Sequence, residues 1–315
     1  MSKILVLGEL CIDVIIRNPK SVPVFGIPVW AEDISFRLGG SASYVSQALN
    51  YLGAEVFLCS MVGEDFIAYQ FIDKLKTRGI NTDYLRFLPG VRTNTCIGTI
   101  DGKNKSFVGC SPFLGYPLDL LTICTLQADL VYFGGYLLYP ELWQGDLAAF
   151  FHRAQSNGAK VIVDTQMLPI PIKNFKDQAL TSNNFASVDV LLVDEKEAIA
   201  LTGCRSPEDA ALAFQSLGPT TIVIKLGRKG SLTWTPKAIY SSKSFSVPTW
   251  ELIGAGDFYG AGFSYALLHN WDLASVSAFA NAFTALAISR PQDQALPSPA
   301  DVKNFLKEQG FNLKD

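Results

Sequence analysis

One short stretch near the C-terminal end holds residues that could do chemistry together: Gly254-Ala255-Gly256-Asp257, followed by Phe258-Tyr259-Gly260-Ala261-Gly262. Small residues opening a helix let a ligand approach the backbone, and the first N–H groups of that helix point at an anion with the helix dipole behind them. Asp257 stands beside that anion hole. A carboxylate there repels a phosphate unless it has another task, and taking the proton of an attacking hydroxyl is such a task. The same residues would also serve as a helix start that packs tightly, and residue type alone leaves both readings open. A dinucleotide fingerprint fits less well: the spacing is G-x-G-x-x-x-G, and Gly8-Glu9-Leu10-Cys11 near the N-terminus contains no G-x-G. A Walker-type G-x-x-x-x-G-K-[ST] run is absent from the sequence.

A scaffold must hold such a helix start against a ligand. Apolar, β-rich runs at 4–7, 56–61, 130–133, 161–164, 190–193 and 221–225 alternate with helical patterns over 43–52, 66–78, 141–157, 195–201 and 207–217. Glycines at 53, 79, 158, 203 and 218 stand where helices stop. Near-continuous apolar strands alternating with helices predict an α/β fold, a doubly wound, mainly parallel sheet flanked by helices. A β-like piece at 244–247 leads into the glycine-rich stretch, and apolar helices are expected over 258–268 and 273–289. Two segments break the rhythm. Residues 13–38 hold short β-like pieces among prolines, and 92–110 reads as a hairpin turning at Asp101-Gly102. They are expected to pair into a small β lid inserted in one domain spanning 1–315, over the carboxyl ends of the strands where α/β ligands sit.

Composition removes several classes. Net charge is −3 from 26 basic and 29 acidic residues, so a protein that neutralises many nucleic-acid phosphates is excluded. Hydrophobic residues make up 49%, too many for a disordered chain. Six scattered cysteines without a Cys-x-x-Cys pair, and only two histidines, speak against a zinc cage and for reduced core thiols. The N-terminal run reads as a first strand rather than a signal peptide, and the uncharged stretch 273–289 as a buried helix rather than a membrane span. The expectation is a soluble cytoplasmic protein with no nucleic-acid or membrane partner.

Taken in order, the pieces resemble a known family. Gly8-Glu9 with Asp13 follows strand one; Gly39-Gly40-Ser41-Ala42-Ser43 opens a helix; Leu52-Gly53 precedes Val62-Gly63-Glu64-Asp65 and Gly79-Ile80. Asp194-Glu195-Lys196-Glu197, Lys225-Leu226-Gly227-Arg228-Lys229-Gly230 and Gly254-Ala255-Gly256-Asp257 come later. This arrangement resembles the ribokinase-like, or PfkB, carbohydrate kinases nearly end to end.

The resemblance implies transfer of the γ-phosphoryl group of ATP, with Mg²⁺, to a sugar hydroxymethyl group. It implies Asp257 as catalytic base and Gly254, Ala255 and Gly256 as the anion hole. Asp13, Gly39, Gly40, Ser43 and Tyr44 fall at substrate-binding positions. Asp194, Lys225, Gly227, Gly230 and Asn281 fall on the ATP side, and Glu197 matches the acid that organises Mg²⁺ through water. Read as residues alone, Glu197 is equally a solvated helix charge, Lys225 a snorkelling strand end, and Asn281 a group satisfying buried backbone.

The sequence also departs from the family. Glu251 and Leu252 replace an Asp-Thr pair on which the monovalent-cation site draws, which counts against potassium activation. Tyr44 replaces a sugar-binding Asn, Asp194 replaces an Asn, and Leu168 stands where many members have Arg. The alternatives to a sugar kinase are a nucleoside kinase, with Tyr44, Phe107 and Tyr136 to stack a base, and a catalytically weakened sugar- or nucleotide-binding regulator. Exposed lid edges would admit a homodimer.

Overall fold

The computed structural model describes residues 1–21, 24–102, 104–111, 116–123, 126–143, 145–166, 176–291 and 294–314. Position 168 and the lysine at 103 lie outside the described residues. Thirteen strands are described: β1 (Lys3–Gly8), β2 (Cys11–Pro19), β3 (Ala31–Gly39), β4 (Glu55–Gly63), β5 (Asn81–Leu88), β6 (Thr95–Asp101), β7 (Asn104–Cys110), β8 (Leu130–Gly134), β9 (Lys160–Asp164), β10 (Val190–Asp194), β11 (Thr221–Lys225), β12 (Ser231–Trp234) and β13 (Ile239–Ser242). Nine form one sheet in the order β13-β12-β11-β10-β9-β8-β1-β4-β5. From β11 to β5 every neighbour is parallel; β12 and β13 are antiparallel additions at one edge.

Each central strand feeds two cores because its side chains alternate. Ile4 and Val6 of β1 belong to one buried cluster with the helices Ser41–Tyr51, Ala255–Leu268 and Leu273–Ile288. Leu5 and Leu7 belong to the other, against Leu147–Ser156 and Pro207–Gln215. This two-sided burial explains the continuous apolar runs. Local signals begin the helices: Asp65, Ser206, Asp272 and Ser298 each accept a first-turn N–H. Among the described residues no helix is long and apolar enough to cross a membrane.

The chain builds outward from β1 through β4 to β5, then restarts on the other side of β1 with β8 and continues to β11. The order therefore reverses between β1 and β8, and a crevice opens at their carboxyl ends. Gly8 and Gly134 pair across that point. Gly8 has φ 140°, and a Cβ on it would lie 2.0 Å from the Gly134 carbonyl oxygen, so only glycine fits.

A second sheet has the order β3-β2-β6-β7. Asp13, Arg37 and Cys96 lie side by side across β2, β3 and β6 on one face. On the other, Phe36, Val14, Ile97 and Val108 form a row in which Phe36, Ile97 and Val108 are exposed. The expected hairpin pairs Asp101 with Asn104. Other expectations need correction. Residues 244–247 form no strand; Pro248 follows, and Phe245 packs instead against Phe305. The helix expected over 141–157 begins only at Leu147, after a short 3₁₀ turn at Pro140–Leu142. Strands β5, β12 and β13 went unread: exposed positions interrupt β5 and β13, and β12 is four residues long with two hydroxyl side chains. Of the cysteines, Cys11 and Cys59 are buried thiols, whereas Cys110 is exposed.

Gly8→Ala should cost about 3 kcal/mol or more by forcing β1 and β8 apart. Urea unfolding checks this, and stability equal to the parent protein would mean that the close approach does not constrain the fold.

Candidate active site

The crevice collects groups from strands β2, β3, β8, β9 and β11 and from the helices Ser41–Tyr51, Glu195–Thr202 and Ala255–Leu268. The loop after β9 and the strand itself supply Asp164 and Thr165; β8 supplies Tyr132; β11 ends in Lys225. Lys225 Nζ donates to both oxygens of Asp164, at 2.9 and 2.8 Å, and the Tyr132 hydroxyl donates to Asp164 at 3.0 Å. Both charged side chains are largely buried, 14% and 4% exposed, so the pair is shielded from screening water. Neighbouring Asp164 and Glu197 hold the Lys225 ammonium in its charged form against the cost of burial.

Asp257 stands in the first turn of the helix Ala255–Leu268, whose N-cap Gly254 adopts φ 79°. The glycines of this stretch divide the two readings that the sequence left open. A Cβ on Gly256 would sit 3.4 Å from Lys225 Nζ, so this position borders the charged cluster. A Cβ on Gly260 would lie 2.2 Å from the Tyr132 hydroxyl, and one on Gly262 would press on Ala280 of the neighbouring helix. Gly256 thus borders the charged cluster, whereas Gly260 and Gly262 admit packing. The Ala255 N–H already donates to the Leu252 carbonyl at 3.3 Å.

Burial raises the Asp257 carboxyl to about 7, and nearby Asp164 and Asp13 push the same way, while Ser41 and Lys225 oppose them. Glu9 is also raised to about 7, chiefly by burial, with Asp13 and Asp257 adding to it. Asn94, 2% exposed, donates to Glu9 at 3.0 Å. Asp13 is 6% exposed and accepts from the Tyr44 hydroxyl at 2.6 Å and from Cys11 Sγ at 3.3 Å. Burial raises the Asp13 carboxyl too. Gly39 leaves room for Asp13, since a Cβ there would fall 2.2 Å from Asp13 Oδ1.

The sequence-predicted residues divide accordingly. Asp13, Tyr44, Gly39 and Gly40 meet at one side of the crevice, and Asp257 is within electrostatic reach of Asp13. Ser43 does not join them; it is fully buried and its Oγ accepts from Gln47. Glu197 is no solvated charge: it is 8% exposed and accepts from Thr165 at 2.5 Å. The Asp194 side chain caps the helix Glu195–Thr202. Gly227 and Gly230 form a tight turn between β11 and β12, with the Leu226 N–H on the Gly230 carbonyl. Asn281 is 6% exposed and donates to Ser231 and Ser242, tying its helix to β12 and β13. Tyr136 is fully buried with its hydroxyl on the Ala179 carbonyl, so it cannot stack on a ligand. Phe107 is half-exposed and lies over Gly98 on the face that carries Asp13.

Glu9, Asn94, Tyr132 and Gln166 were missed as site residues. Glu9 belongs to the Gly8-Glu9 motif, whose residue types alone assign it no role. Gln166 carries a rarer signal, φ 48° for a residue with a Cβ, and its buried Oε1 has no partner among the described residues.

Glu251 heads the loop that ends in Gly254. Its side chain is 2% exposed and is gripped by Arg17 of β2 and Arg37 of β3, one guanidinium on each carboxylate oxygen. The small sheet is thereby tied to the loop that starts the Asp257 helix.

Residues 1–301 match the pfkB family carbohydrate kinase profile. The chain belongs to that family. Among curated relatives, it is 24% identical over 311 residues to ribokinase of Haemophilus influenzae, covering 96% of this chain and 97% of that one. It is 25% identical over 280 residues to 2-dehydro-3-deoxygluconokinase of Thermoproteus tenax, covering 86% and 85%. Among solved structures, Arabidopsis thaliana ribokinase complexed with ribose and ATP superposes with a TM-score of 0.81 at 19% identity, over 97% of this chain and 99% of that one. The fold is therefore the ribokinase fold, and the chain is a PfkB-family sugar kinase, a phosphotransferase with an alcohol acceptor.

Glu251→Gln should lower stability by about 3 kcal/mol, because two arginines would lose the charge that compensates them. Chemical denaturation measures it; an unchanged midpoint would show that the tie between small sheet and loop contributes nothing.

Proposed function

We propose that this PfkB kinase transfers the ATP γ-phosphoryl group to a sugar hydroxyl, with Asp257 as the general base. The observation that carries the reading is a carboxyl raised to about 7 at the start of a glycine-opened helix. A base with that pKa is substantially ionised at neutral pH and still basic enough to accept a hydroxyl proton. The first-turn amides of the helix, those of Gly256 and Asp257 foremost, would face the charge on the migrating phosphoryl group.

The acceptor sugar would lie between Asp257 and the pair Asp13–Glu9. Carboxylates suit vicinal hydroxyls because each accepts two hydrogen bonds. Tyr44 orients Asp13 in place of an Asn that would itself touch the sugar. The small sheet would act as a lid that excludes water and so limits wasteful hydrolysis of ATP.

The nucleotide would approach from the β11–β12 turn at Gly227–Gly230. Lys225 acts indirectly in this reading: it holds Asp164 and biases Asp257, while its own charge is already spent. Among the described residues, no cluster of three or more His, Cys, Asp or Glu is arranged to hold a metal. Glu197, with one oxygen on Thr165, fits a water-mediated role toward Mg²⁺. That ion would neutralise charge on the phosphates. A potassium ion fits poorly beside Glu251, because both of its oxygens already face guanidinium groups. We infer that Arg17 and Arg37 supply the counter-charge there. Replacing potassium by tetramethylammonium in the assay should leave turnover unchanged within about twofold, whereas a loss of about tenfold would show that a cation is needed.

Two experiments test the base. Below pH 7 the carboxyl gains its proton, so kcat/KM should fall about tenfold per pH unit and level off above 7. Asp257→Asn should reduce kcat by about a thousandfold or more while sugar binding, followed calorimetrically, changes little. The acceptor is sought by coupled assay across pentoses, hexoses, sugar acids and nucleosides. Full turnover in Asp257→Asn with the best acceptor would remove the proposed base.

A further inference from the structure

A cavity of about 450 Å³ opens between the edge strand β3, the helices Ser41–Tyr51 and Phe66–Thr77, and the segments around Trp250 and Pro291. That volume lies in the range of small-molecule sites. None of Asp13, Asp164, Lys225 or Asp257 lines it, so it lies beside the crevice, with which it shares the wall residue Tyr44. Its described walls carry four cations, Arg17, Arg37, Lys74 and Arg78, against one carboxylate, Asp33. The whole chain has an excess of acid, so this concentration of positive charge is local.

The cations are not used up by the protein. Lys74 and the C-cap residue Arg78 stand one turn apart at the C-terminal end of the helix Phe66–Thr77. Neither forms an ion pair among the described residues; the Arg78 guanidinium donates to the neutral Gln47 amide oxygen. Arg37 and Arg17 each place one nitrogen on Glu251 and retain further donors, and Arg37 Nε is buried without an acceptor. Aromatic surface lies between these charges. The Lys74 ammonium sits 4.8 Å from the Phe71 ring, and the Arg17 guanidinium 5.9 Å from Trp250, which is 57% exposed.

We propose that this cavity is a second ligand site, for a small organic phosphate with a flat ring. Arg37, Lys74 and Arg78 hold the phosphate, since guanidinium and ammonium donors form charge-assisted bonds with its oxygens. Trp250 and Tyr51 pack against the ring. Occupancy is linked to the lid, because the ligand competes with Glu251 for the guanidinium groups that tie the small sheet to the catalytic loop. By linkage, whatever loosens that tie also changes affinity for the ligand.

The test is calorimetric titration of the full chain with 1-naphthyl phosphate, in the presence of a saturating non-hydrolysable ATP analogue so that the nucleotide site is not in play. Saturable binding of one equivalent is expected. The double variant Lys74→Ala/Arg78→Ala should bind about tenfold more weakly or worse, with unchanged thermal midpoint and unchanged basal turnover. Trp250→Ala should weaken the naphthyl ester more than inorganic phosphate. Absence of saturable binding at millimolar probe, or equal binding by the parent and the double variant, overturns the proposal. Neither result bears on the role of Asp257, which is read from kcat in a separate variant.

Discussion

Carboxyl groups crowd around a single ammonium at the reversal point of the sheet, and the rest of the site follows from that imbalance. Asp257 lies within electrostatic reach of Asp164 and Asp13, and Glu9 of Asp13 and Asp257, with Lys225 as the compensating charge beside Asp164. Desolvation and mutual repulsion both favour the neutral acid. Lys225 cannot offset all four, because both oxygens of Asp164 already engage it. The excess is relieved by raising the carboxyls of Glu9 and Asp257 to about 7. A group poised there can accept a proton at neutral pH, which an ordinary aspartate does poorly.

Close packing makes that crowding possible. Gly8 and Gly134 bring β1 and β8 together, Gly39 admits Asp13, and Gly260 admits the Tyr132 hydroxyl that reaches Asp164. A methyl group at any of these positions would occupy space now held by a polar atom or a carbonyl. The site is thus set by how near backbones can approach as much as by which acids are present.

The same logic governs the tie between the two sheets. Glu251 is buried at the head of the loop that ends in Gly254, and a buried carboxylate needs compensation. Arg17 and Arg37 provide it from adjacent strands of the small sheet, where the antiparallel register of β2 and β3 lets both reach the same point. The electrostatic demand of one residue therefore couples sheet position to loop position.

Much of this protein was legible in residue order. The apolar runs at 4–7, 190–193 and 221–225 read as strands buried on both faces, and the glycine-opened helix start that carries Asp257 could be read either as a site or as a tightly packed helix start. Periodicity and backbone sterics are local, so the sequence expresses them directly. Partnership between distant residues is not local. That Glu197 is buried on Thr165, that Asn281 braces β12 and β13, that Tyr136 belongs to the core, and that Arg17 and Arg37 converge on Glu251 depend on which surfaces the fold brings together across separations of 32 to 234 residues. Pattern and residue type determined the architecture and the catalytic candidate. Only the packed structure decided the partners, and with them each group's charge state, because desolvation and Coulomb energy depend on distance in space and not on distance along the chain.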